Sequence, residues 1–363
     1  MVITFIIGNG FDVDKGIESS YAKFYDWYCD QSSEKTHIER FRKTIKEDIK
    51  SDVPDDQRTW ADFELGLGEY TTRFAKETVA DFLDCVEDGQ ENIRQYLLLQ
   101  EEKFDPDTYS EDSYKAFYDS IRDFYAEVSD AEKMSIQSAI EAHVEDNKEI
   151  RFLTFNYTST LERIIAKLPN EPFLSWTIRG TKYTYGVRRD VLHVHGTTSK
   201  FPVLGVNDES QIANKDLLET PQFKELLCKA DSVRALGELW HDDAEKQISK
   251  STFVCILGMS LGDTDAKWWK KLSQWLKEDS HRHLIIYWFE KNPPNGISIR
   301  KELQYKEKVK NRLVSFSQFS PAEVALLKKR IHVIINTQKF LKLERTHSLP
   351  ENEHENEAVL VAT

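Results

Sequence analysis

Val2-Ile3-Thr4-Phe5-Ile6-Ile7-Gly8-Asn9-Gly10-Phe11-Asp12 decides the fold. Six consecutive β-branched or aromatic residues, without polar alternation, describe a strand buried on both faces, as in a parallel sheet. Gly8-Asn9-Gly10 then turns the chain tightly at the strand's C-terminal end. Glycines there let the backbone approach a pyrophosphate with N–H groups pointing at it. The third glycine of a dinucleotide fingerprint is missing, so the turn taken alone reads as an ordinary tight turn. Working outward, the apolar pattern recurs at Arg151–Phe155, Val191–His195, Thr252–Leu257, His283–Phe289 and His332–Ile335. Helical spacing separates several of these runs, as with Leu161, Ile164, Ile165 and Leu168. Strands alternating with helices predict an α/β fold with a doubly wound, mostly parallel sheet, built from residues 1–19 and 149–340.

Residues 20–148 differ. Tyr114, Phe117, Ile121, Phe124, Tyr125 and Val128 form one apolar helical face, Met134, Ile136 and Ile140 continue it, and no buried strand interrupts the interval. This predicts a large helical insertion after the first strand, packed beside the sheet. Trp176–Gly180 and Lys182–Gly186 read as a small hairpin. Residues 341–363 read as a polar, disordered tail.

The net charge of −13 is concentrated in residues 31–148, which carry −15. No basic stripe with interleaved aromatics reverses it, so duplex nucleic acid is not an expected partner. No apolar run reaches the roughly 18–20 residues of a membrane span. With no signal-peptide pattern at the N-terminus, the expected location is the cytoplasm. Cys29, Cys85, Cys228 and Cys255 form no C-x-x-C pair, and no zinc site or other metal is expected.

Four strand ends could carry chemistry. Gly8-Asn9-Gly10-Phe11-Asp12 is the first. Asn156, after Thr154-Phe155, can donate and accept at the sheet edge, although Asn156 or Thr158 also suits a helix N-cap. His193-Val194-His195-Gly196 ends another run; alternation puts both histidines on one face, with His193 packed in the core and His195 at the loop edge, where proton transfer is useful. Gly258-Met259-Ser260-Leu261-Gly262-Asp263-Thr264-Asp265 supplies Gly258, Ser260 and Asp263, with N-capping for Asp263 and a favourable helix dipole for Asp265 as the plainer roles. Open α/β sheets bind ligands where such ends converge.

These motifs, with Trp60-Ala61-Asp62-Phe63-Glu64 and Leu204-Gly205-Val206-Asn207-Asp208, resemble the bacteriophage abortive infection AbiH family from residue 1 to roughly 335. That family is similar in turn to the sirtuin-like, Rossmann-like NAD-binding fold. The resemblance implies a glycine loop at Gly8–Ile17, with Gly8, Asn9, Gly10, Phe11 and Asp12 at the cofactor. It implies Asn156 at the nicotinamide ribose, His195-Gly196 in the catalytic histidine's place, and Gly258 and Ser260 at the adenosine ribose. Ser19-Ser20-Tyr21 replaces the sirtuin Asp-Phe-Arg, and the zinc-binding cysteine pairs are absent, which removes the case for a protein deacylase. The implied activity is hydrolysis of NAD, as substrate, at the nicotinamide–ribose bond during antiphage defence, with Asn156 and His195 catalytic. A nucleotide sensor of NAD or an ADP-ribose derivative, without catalysis, is the alternative. A homo-oligomer and a partner defence protein both remain open.

Overall fold

The computed structural model describes residues 1–51, 58–143, 148–170, 173–293 and 298–345. Its strands are β1 (Val2–Ile7), β2 (Glu149–Thr154), β3 (Phe173–Ile178), β4 (Thr181–His193), β5 (Phe253–Leu257), β6 (His283–Trp288) and β7 (Ile331–Ile335). They form one sheet in the order β3-β4-β2-β1-β5-β6-β7, parallel except for the antiparallel β3–β4 pair. The sheet is therefore mixed and mostly parallel.

The expected hairpin is present but is not separate from the sheet. Its second arm continues as β4 to His193, and its first arm becomes the antiparallel edge strand. Arg179 and Gly180, both at positive φ, make the two-residue turn that right-handed strand twist favours.

β1 is central because both its faces are apolar and both must be covered. Ile3, Phe5 and Ile7 face one core with Phe152, Phe253 and Tyr287. Helices Glu111–Arg122, Asp130–Ala142 and Thr160–Lys167 cover that face. Ile6 faces the other with Leu153, Val254 and Ile286, under helices Trp240–Lys250, Ala266–Glu278 and Ile299–Ser315. Each such side chain contributes roughly 1.5–3 kcal/mol on leaving water.

Among its described residues, the interval 20–148 contains helices and no strand. These helices divide between two cores. Those from Tyr21 to Lys103 pack around Phe24, Phe41, Trp60, Phe63 and Phe82, joined by Leu204, Leu217 and Phe223 from the segment between β4 and β5. The two that follow lie directly on the sheet. The polar-tail expectation fails at its start. Leu341 is buried, its carbonyl accepts from Lys15 Nζ at 2.8 Å, and Glu344 N–H donates to Ser113 Oγ at 2.7 Å. Residues 346–363 lie outside the described residues. No helix among the described residues is long and apolar enough to cross a membrane.

After β1 the chain moves to β2 and β4 on one side, then crosses to β5, β6 and β7 on the other. This switch opens a crevice beyond the C-terminal ends of β1 and β5.

Candidate functional site

A cleft of about 340 Å³ fills that crevice. The strand ends contribute Asn9, Gly10, Asp12, Asn156, His195, Gly258 and Ser260; the helical unit closes the other side with Tyr21, Tyr25, Arg58, Asp62 and Glu64. Gly8, Phe11 and Asp263 are not among its walls. Phe11 is a core residue, edge-on to Phe117. Asp263 is half exposed and paired with Arg312 at 3.0 Å, away from the cleft.

The two glycine amides of the turn are not free for a phosphate. Gly8 N–H donates to Leu257 O and Gly10 N–H to Gly258 O, both at 2.9 Å. What the glycines supply is proximity. A Cβ on Gly10 would lie 2.8 Å from Gly258 Cα, and one on Gly8 would lie 2.6 Å from Gly258 O. The turn is thereby stitched onto the loop after β5, which brings Ser260 beside Asn9 and Gly10 in one wall. Asn9 itself is turned toward Ser19, whose carbonyl accepts from its amide at 3.2 Å.

Asp12 sits behind this turn, 1% exposed, with Oδ2 accepting from Thr158 Oγ1 and Oδ1 without a partner. Burial pushes its carboxyl up to about 7, against the opposing hydrogen bond of Thr158. Asn156 donates to Gly8 O at 3.2 Å and leaves its own Oδ1 unpartnered. Asn156 thus does not cap the helix that follows, whose N-cap residue is Ser159.

The two histidines do not share a face. β4 ends at His193 and the chain bends, so alternation stops there. His193 turns to the Asn156 carbonyl, 2.8 Å away, and to Glu162. His195, 3% exposed, turns the other way, edge-on to Phe155 and His241. Its Nε2 lies 3.1 Å from Asp265 Oδ1 and its Nδ1 has no partner.

Three residues that sequence reasoning did not select complete this arrangement. Lys229 Nζ, buried, lies 2.7 Å from Glu64 Oε2, 3.2 Å from Asp265 Oδ1 and 3.3 Å from the Thr264 carbonyl. Asp265 occupies the N-cap position of helix Ala266–Glu278, yet its side chain makes no capping bond and is spent on Lys229 and His195. Glu64 is seated by Asp62, which caps helix Phe63–Tyr70 by accepting from Glu64 and Leu65 N–H at 2.9 and 3.2 Å. Burial raises the Asp265 carboxyl, but Lys229 and the His195 hydrogen bond outweigh it and hold it well below the usual carboxylate range. Burial pushes Glu64 up to about 8 against the pull of Lys229. A proton entering this pair goes to Glu64. Burial and the charge of Lys229 together pull His195 below its ordinary value, so the ring is neutral.

The acidic pair in Trp60–Glu64 and the second aspartate of Gly258–Asp265 were visible signals for two of these residues. Lys229 had none. Among the described residues no group of three or more His, Cys, Asp or Glu is arranged to hold a metal ion.

Fold and cleft together define an α/β protein with a buried acid–base constellation at the switch point of a mostly parallel sheet. The chain belongs to the bacteriophage abortive infection AbiH family, which it matches over residues 4–287. That membership gives it a role in abortive defence against phage. No curated protein matches it.

Proposed function

We propose that the cleft binds NAD in a sirtuin-like manner and hydrolyses its nicotinamide–ribose bond. The observation that carries this reading is the convergence of three buried polar atoms without protein partners, Asp12 Oδ1, Asn156 Oδ1 and His195 Nδ1, beyond the ends of three adjacent strands. Buried polar groups ordinarily have partners, and an acceptor-rich set suits ribose hydroxyls and a water. The lining carries Asp12, Asp26, Asp62, Glu64 and Asp265 against Arg58 and Lys229. The ionised Asp265 carboxylate in this lining favours the oxocarbenium-like centre formed as nicotinamide departs with the C–N bonding electrons. Asn156 positions the water or the ribose. His195 takes the proton from the attacking water as the water oxygen bonds the anomeric carbon. Arg58 on the helical side meets the diphosphate, replacing the glycine amides in that duty.

The absence of the sirtuin arginine at Ser19-Ser20-Tyr21 favours a second reading, in which the cleft senses NAD or an ADP-ribose derivative without cleaving it. Incubating the pure protein with NAD, beside His195→Ala, and quantifying free nicotinamide separates the two. Release by the wild type and loss in the variant supports hydrolysis. Saturable NAD binding without release, at rest and in phage-infected lysate, supports the sensor.

A further inference from the structure

We infer that Asp265, clamped by Lys229 and Glu64, fixes His195 in its Nε2–H tautomer and makes Nδ1 the proton-accepting atom, an assignment that deepens the hydrolytic reading and rests on it. The Lys229 ammonium has three protons and three acceptors within reach: Glu64 Oε2, Asp265 Oδ1 and the Thr264 carbonyl. A protonated lysine cannot accept, so Asp265 faces it as the ionised acceptor. The same Oδ1 lies 3.1 Å from His195 Nε2, and an ionised carboxylate oxygen can only receive there. Nε2 therefore carries the hydrogen. In a neutral ring Nδ1 is then a bare lone pair, and it is the ring nitrogen with no protein partner.

The clamp spans the molecule. Glu64 stands on helix Phe63–Tyr70 of the helical unit, Lys229 follows the segment packed into that unit's core, and Asp265 and His195 come from the ends of the sheet. Without Glu64, Lys229 would have one carboxylate and a carbonyl; without Lys229, Asp265 would face the imidazole as an uncompensated buried charge and draw a second proton onto it. Asp265, Lys229 and Glu64 are positioning residues, because they act on the reaction through His195. The charged and titratable groups facing the ring are Asp265, Lys229, Lys267 and His241.

The test is nitrogen-15 NMR of the full chain with labelled histidine, the His195 signals being assigned by their loss in His195→Gln. The wild type should show a neutral, Nε2-protonated ring at neutral pH. Asp265→Ala, which removes the acceptor at Nε2, should shift the ring away from a pure Nε2–H form and lower kcat about 10²–10⁴-fold with little change in KM. Lys229→Met should raise His195 toward imidazolium and move the acidic limb of the rate profile to higher pH. A wild-type Nδ1–H ring, or an Asp265→Ala ring identical to the wild type, overturns the assignment. The wild-type spectrum decides even if a variant does not fold. An Nε2–H ring in a protein that never releases nicotinamide leaves the positioning standing and removes the hydrolysis.

Discussion

Asp12→Asn should convert a pH-dependent stability into a flatter one. The carboxyl goes from an ordinary value of 3.8 to about 7 on folding, because burial strips its water and Thr158 returns only part of that solvation. Below the lower value it is protonated in both folded and unfolded chains, and no penalty arises. Between the two values the folded protein keeps a proton that the unfolded chain has released, so stability falls as pH rises, and it levels off above the folded value. A shift of about three units corresponds to about 4 kcal/mol, at roughly 1.4 kcal/mol per unit. Asparagine occupies the same volume, can still accept from Thr158 and never ionises. The stability of the variant minus that of the wild type should therefore grow by up to about 4 kcal/mol from about pH 4 to about pH 8. Urea unfolding of both proteins across that range, followed by circular dichroism, reads the difference and cancels the titration of every other group. A difference that stays constant with pH would show that Asp12 ionises as an ordinary carboxylate, and the account of the cleft floor would fall with it.

Gly10→Ala should cost about 1–3 kcal/mol, since its Cβ would meet Gly258 Cα at 2.8 Å, backbone against backbone; an unchanged denaturation midpoint would refute the stitched turn. Phe5→Ala should cost about 3–5 kcal/mol, because the ring is fully buried between Phe152 and Phe340 at centroid distances of 5.7 and 5.5 Å. Thermal unfolding checks it, and a cost comparable to that of a surface substitution would place the core elsewhere. Asn156→Ala should depress kcat for nicotinamide release far more than it changes NAD affinity. Combined with His195→Ala it should cost less than the product of the single effects; wild-type turnover in a folded Asn156→Ala protein would remove the residue from the mechanism.

The sequence by itself determined the parallel strands and the end of the sheet at which a site could form. Val2–Ile7, Thr252–Leu257 and His283–Phe289 are apolar on both faces, and only a sheet covered on both sides satisfies such runs. Glycines and polar residues at the strand ends are local signals of the same kind. Tertiary structure decided what those residues do. Whether Gly8 and Gly10 amides face a ligand depends on which strand lies beside β1, and it is the end of β5 and the loop after it that take them. Whether His193 and His195 share a face depends on where β4 stops, because alternation holds only while the ladder continues. The clamp on His195 was the least legible part. Glu64, Lys229 and Asp265 lie far apart in the chain, and a lysine between two carboxylates has the same local sequence as one in solvent. Its burial, and with it the tautomer of His195, exists only once the helical unit has closed over the sheet.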